Sequence, residues 1–236
     1  MLISVITPAH NEEAFIGDCV LSVSRAASMA SADVEHLVVL NRCTDRTQEI
    51  AASLGAKIVV EDARNLSRIR NAGVESASGD IIVTIDADST MSPNMLVEVE
   101  RMMSSSSYVG GGVKVRLERW SVGIFCSLVV VLPFIVWHGV SAGMFWCRKK
   151  DFDEIGGFDE SLNCVEDVDF GKRLKSFGKS DGRRYGTIRA AHITTSCRKF
   201  DQFGDWYFVR NPRLVFDIFR RQPKAADEFY YNARKG

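Results

Sequence analysis

Short apolar runs alternate with stretches of helical periodicity through the first 120 residues. Four runs, Leu2–Thr7, His36–Leu40, Lys57–Val60 and Asp80–Ile85, are four to six residues long and rich in Val and Ile, the signature of strands buried on both faces. Between them the pattern predicts helices starting near Glu12, Thr44, Leu66 and Ser92. Thr44-Asp45 offers a cap with Gln48 and Glu49 in the first turn, and Ser92-Pro93 puts proline at the first helical position. Strand-helix-strand repetition predicts a parallel, doubly wound α/β sheet. Right-handed crossovers then bring Thr7, Asn41 and Asp86 to one edge, where such sheets bind ligands.

Beyond residue 107 the pattern is less regular. Tyr108–Leu117 begins with Gly110-Gly111-Gly112 and then alternates, as expected of a bent strand. Residues 123–137 form an apolar run of 15 broken by Pro133, shorter than the roughly 20 residues of a spanning helix. It reads as a core helix, or as a face resting on a membrane or gripping a lipid-linked acceptor. Ala142–Cys147 predicts another strand, and Glu166–Phe177 a helix ended by Gly178. No repeat or linker divides the chain, so one domain over 1–236 is expected. Within it the regular alternation occupies 1–117, the less regular part 118–199 and a basic end 200–236.

Composition narrows this little: 46% apolar and 25% charged residues exclude disorder. Charge says more. The formal net charge of zero conceals −2 over residues 1–150, −5 over 151–182 and +7 over 183–236. A globally basic nucleic-acid binder is thereby excluded. Six scattered cysteines without a CxxC pair argue against a zinc ribbon and for reduced thiols. The chain opens directly on a strand with no leader pattern, so a cytoplasmic location, including the inner face of the membrane, is expected.

The candidate chemistry collects at the ends of the strands. Asp86-Ala87-Asp88 places two carboxylates, one residue apart, at the end of a buried strand, where they need solvent or a cation. A hard divalent ion such as Mg2+ or Mn2+ suits oxygen ligands of this kind. Around it in the chain stand Thr7-Pro8-Ala9-His10-Asn11-Glu12, Asn41-Arg42-Cys43-Thr44-Asp45-Arg46-Thr47, Arg68-Ile69-Arg70-Asn71-Ala72-Gly73, Gly156-Gly157-Phe158-Asp159-Glu160 and Glu166-Asp167.

In this order, from about Ile3 to Leu174, the motifs resemble family 2 glycosyltransferases of the GT-A fold, a Rossmann-like, mostly parallel sheet flanked by helices. The resemblance implies a metal-dependent, inverting transfer of a sugar from a nucleotide diphosphate sugar, a UDP-sugar favoured, to an acceptor hydroxyl that can be lipid-linked. It implies nucleotide-sugar contacts from Pro8, Asn11, Glu12, Asn41, Arg70, Asn71 and Asp86. Asn41 stands where relatives often carry an aspartate, which weakens the uridine assignment. Asp88, with Asp86, matches the metal ligands, His192 a further one, and Asp167 the general base. Peripheral membrane contact is expected through 120–137.

Rival readings remain open at this point. Asp86-Ala87-Asp88-Ser89-Thr90 fits the DxDxT pattern of haloacid-dehalogenase-like phosphatases, with Asp86 as nucleophile, although those enzymes carry it on their first strand. A non-catalytic sugar-nucleotide binder is the other. A dehydrogenase is disfavoured because the first turn lacks GxGxxG.

Overall fold

The computed structural model of the chain describes residues 1–138, 143–162 and 165–213. Ala142, Cys164 and residues 214–236 of the basic end lie outside the described residues. Strands β1 (Leu2–Ala9), β2 (Asp33–Leu40), β3 (Lys57–Val60) and β4 (Ile81–Ile85) alternate with helices α1 (Ile16–Ala27), α2 (Thr47–Ser53) and α3 (Leu66–Glu75). There follow β5 (Ser89–Met91), α4 (Met95–Ser104), β6 (Tyr108–Leu117) and α5 (Val122–His138). The chain continues through β7 (Met144–Arg148), α6 (Lys149–Glu154), α7 (Glu166–Ser180), β8 (Arg184–Thr195), α8 (Arg198–Phe203) and α9 (Tyr207–Arg210).

Among the described residues the sheet order is β3-β2-β1-β4-β7-β6-β8-β5. The first four strands are parallel, as the alternation predicts. The second half supplies the antiparallel part of the mostly parallel sheet: β7 runs antiparallel to both β4 and β6, and β5 antiparallel to β8. The antiparallel entry of β7 pairs Met144 with Ile85, so that β7 begins at the edge where β4 ends.

Apolar continuity in β4 follows from two cores. Ile81, Val83 and Ile85 pack with α1 and α4 on one face, whereas Ile82 packs with Ile69 of α3 and with Phe170 and Leu174 of α7 on the other. Four phenylalanines, Phe145, Phe152, Phe158 and Phe170, meet within this second core, the last two stacked at 4.3 Å. The glycines of β6 serve close approach: a Cβ on Gly111 would overlap the Gly186 carbonyl of the neighbouring strand.

Helices α2 and α4 begin at Thr47 and Met95, each three residues past the expected start, so Pro93 precedes its helix; two further boundaries differ for local reasons. Residues 10–15 form a loop, with the N–H groups of Phe15 and Ile16 bonded to the Glu12 carbonyl, so α1 starts four residues late. Gly178 does not stop α7, which continues to Ser180; a Cβ there would strike Val109, so the glycine lets the helix lie close on β6. The five described cysteines, Cys19, Cys43, Cys126, Cys147 and Cys197, are free thiols. No helix among the described residues is long and apolar enough to cross a membrane.

Candidate active site

Parallel pairing carries the ends of β1, β2 and β4 to one edge of the sheet, and a cleft opens there. Its lining includes Pro8, Asn41, Asp86, Asp88, Asp167 and Arg198. These side chains come from five parts of the sequence, and what joins them is charge.

The first two loops are tied together by short polar side chains. Asn11, held at φ 51°, accepts hydrogen bonds from the Thr44 N–H (2.8 Å) and hydroxyl (3.4 Å). Asp45 accepts from the Glu13 N–H and from both the N–H and hydroxyl of Thr47, while the Glu12 N–H donates to Thr47 Oγ1. Asn11 does not line the cleft; its side chain fixes the loop that places Pro8 and Glu12 there. Asn41 does line it. Its amide nitrogen donates to the carbonyls of Glu61 (2.6 Å) and Ala63 (2.8 Å), so its Oδ1 is turned the other way, 3.4 Å from Arg42.

Arg70 is the hub of the anionic side. Buried on α3, it donates to Glu166 Oε1 at 2.7 Å and to Asp86 Oδ1 at 2.9 Å, and its guanidinium lies over the Phe158 ring. Burial disfavours its charge, but Asp86 and Glu166 more than offset this and hold it protonated. A salt link therefore ties the end of β4 to the start of α7. Asn71, one residue on, faces elsewhere: its Nδ2 donates to the Phe158 carbonyl and to Glu160, and its Oδ1 accepts from the Phe158 N–H. It clamps the Gly-Gly-Phe-Asp-Glu turn and is not among the cleft residues.

Asp167 stands one residue after Glu166 at the mouth of α7, half-buried in the cleft. Burial first, and then the neighbouring Glu166 charge, push its carboxyl up to about 6, against the pull of Arg70. Val165, immediately before this pair, sits at φ 53°, a left-handed conformation costly for a β-branched residue. Such strain collects where surrounding structure dictates an orientation, and here it precedes the two acids of the cleft.

The residue that the motifs did not single out is Arg198. Two of its nitrogens reach the buried Glu12 at 2.6 and 2.9 Å, and its Nε lies 3.1 Å from Asp88 Oδ2. Ser196 Oγ donates to the same Asp88 oxygen. The pairing of β5 with β8 brings this about, because Ser89 opposite Thr195 sets residues 196–199 across the Asp86–Asp88 turn. In the sequence, Arg198-Lys199 stands out within the +7 end of the chain as a basic pair suited to covering a diphosphate or to a basic surface segment.

His192 is not brought to the cleft. It lies on β8 opposite Lys114, its Nε2 is 3.2 Å from Arg116, and burial followed by these two cations lowers its pKa. That surrounding is hostile to a metal ion. Among the described residues no three carboxylate, imidazole or thiolate groups converge on a metal position. Asp86 and Asp88 nevertheless suit an ion that takes one or two carboxylates and completes its shell with phosphate and water, since Arg70 and Arg198 each engage only one oxygen of their carboxylate.

The family described as Glycosyl transferase family 2 matches residues 4–156. The chain is 27% identical over 221 residues to glycosyltransferase AglE of Haloferax volcanii, covering 86% of this chain and 68% of that protein. It is 35% identical over 210 residues to the O-antigen biosynthesis protein RfbC of Myxococcus xanthus, covering 77% of this chain but 15% of that one. Among solved structures, S. aureus TarS 1–349 superposes with a TM-score of 0.64 at 17% identity, over 97% of this chain and 69% of that one. Glucosyl-3-phosphoglycerate synthase from Mycobacterium tuberculosis, crystallised with Mn2+, UDP and glucosyl-3-phosphoglycerate, gives 0.58 at 19% identity, over 92% and 79%. These likenesses show the GT-A fold.

Proposed function

The chain belongs to glycosyl transferase family 2, and from that premise we propose that it transfers a sugar from a nucleotide diphosphate sugar to an acceptor hydroxyl, with inversion at the anomeric carbon. The observation that carries the reading is one cleft holding Asp86 and Asp88 beside Asp167, with Arg70 binding the first to the base-bearing helix. Solved structures of the same fold at low identity bind UDP-GlcNAc, or Mn2+ with UDP, which favours a UDP-sugar here.

Asp167 supplies the base. An attacking alcohol must lose its proton as the new bond forms, and a carboxylate raised to about 6 is still ionised at neutral pH yet more basic than an exposed one. Attack from the side of Asp167, opposite the departing diphosphate, inverts the anomeric centre. Asn41 Oδ1 would accept from a ring N–H of the base. Arg198 and Lys199, on the cleft wall, would meet the diphosphate's negative charge. The cleft has a volume of about 130 Å3 and opens to solvent.

Asp86 and Asp88 would hold Mn2+ or Mg2+, which neutralises the leaving diphosphate when bound. Asp86 follows β4 and not the first strand, which disfavours the phosphatase alternative. The test is incubation of the purified chain with UDP-, GDP- and dTDP-sugars and an alcohol acceptor panel. Product of inverted anomeric configuration, absent with Asp167→Asn, supports the reading; retained configuration or an active Asp167→Asn protein contradicts it.

A further inference from the structure

The helix α5 is not enclosed as a core helix would be. Gly123, Ile124 and Ser127 face inward, where Ser127 Oγ donates to the Asp205 carbonyl and a Cβ on Gly123 would strike Asp205 and Trp206. At helical spacing on the opposite face, Val122, Phe125, Val129 and Leu132 are each more than half exposed, and Trp120 before them is 63% exposed. Trp206 adds a half-exposed indole from the segment packed beneath. A monomer in water rarely presents a stripe this apolar.

The charges bordering this stripe in the chain decide its partner. Asp201 and Asp205 are both occupied by Arg119, whose guanidinium nitrogens bind them in a fork. With Lys114, Arg116, Arg210 and Arg213, all exposed, the five cations of these segments outnumber their three carboxylates, Glu118, Asp201 and Asp205. An apolar helix face without a charged side chain from Val122 to Pro133, with tryptophans and an excess of cations in the flanking segments, matches the requirements of an anionic lipid surface. A second copy of the chain would bring the same cations face to face.

We propose that the face formed by Trp120, Val122, Phe125, Val129, Leu132 and Trp206 docks on an anionic bilayer. It does not span one. Docking has a mechanical route to the cleft, because Asp205, which anchors α5, belongs to the same short segment as Arg198. The inference stands apart from the transfer reading, since bilayer binding needs no donor.

The test is sedimentation of the full chain with vesicles of phosphatidylglycerol and phosphatidylethanolamine, and with phosphatidylcholine vesicles. The protein should pellet with the former and, at equal lipid, at least about tenfold less with the latter. Phe125→Ser with Leu132→Ser should reduce binding by about tenfold with melting temperature and UDP affinity unchanged. Arg210→Glu with Arg213→Glu should reduce it without touching an apolar residue. Three outcomes overturn the proposal: no binding to anionic vesicles, binding indifferent to both double variants, or a dimer in sedimentation velocity that Phe125→Ser with Leu132→Ser dissolves. Loss of UDP binding with vesicle binding intact would overturn the transfer reading alone.

Discussion

Arg198 Nε lies 3.1 Å from Asp88 Oδ2 while the other end of the same guanidinium grips Glu12 at 2.6 and 2.9 Å. One cation thus bridges the loop after β1 and the turn after β4. Arg198→Ala should remove this bridge from a buried carboxylate and destabilise the fold by about 3 kcal/mol. It should also lower kcat/KM roughly a hundredfold through the lost diphosphate contact. Adding Glu12→Gln should recover much of the stability, measured by urea unfolding, and little of the activity.

Asp167 carries opposite signs for stability and rate. Its folded carboxyl holds a proton more tightly than the unfolded chain does, so its charge costs stability above about pH 6 and costs nothing below about pH 4. Asp167→Asn should therefore stabilise the protein at neutral pH by on the order of 1 kcal/mol, after allowance for partial solvent exposure, and not below about pH 4. Thermal unfolding across that pH range checks the sign. The same variant should lose a factor of about 10²–10⁴ in transfer, and the native rate should fall as pH drops through about 6.

Asn71 matches a family position beside the nucleotide, yet its three hydrogen bonds all go to Phe158 and Glu160. Asn71→Ala should cost about 1–3 kcal/mol in urea unfolding, since it strips partners from the turn that precedes Glu166. Its affinity for UDP, measured below the unfolding transition, should stay within about twofold.

His192, hydrogen-bonded to Arg116 and placed opposite Lys114, should contribute nothing to metal binding. His192→Gln should leave the manganese concentration for half-maximal UDP binding unchanged within about twofold. A tenfold rise would restore histidine as a ligand.

Much of this was legible in the residues because the nucleotide half is local. Val- and Ile-rich runs mark β1 to β4 on their own, and a parallel sheet puts their ends together. What escaped depends on the distant return of β8. Nothing in Ala190-Ala191-His192-Ile193 says that the strand runs alongside β6 and turns His192 to Arg116, nor that it delivers Arg198 across Asp88. The motif residues Asn11 and Asn71 were only half legible for a related reason: their loop-ordering bonds to Thr44, Phe158 and Glu160 are long-range. An asparagine that orders a loop and one that touches a nucleotide look alike in sequence, and only hydrogen-bond partners separate them. The run at 123–137 was ambiguous because periodicity in an all-apolar helix cannot tell which side is covered; the packing of Gly123 and Ser127 against Asp205 shows which.

Calorimetric titration of the full chain with UDP, GDP and dTDP, with and without Mn2+, tests the central claim most directly. The cleft described here requires that at least one of these bind in the presence of the metal. It also requires that chelation or Asp88→Asn weaken that binding at least about tenfold. If no nucleoside diphosphate binds in the presence of Mn2+, the cleft is not a nucleotide-sugar site and the transferase reading fails.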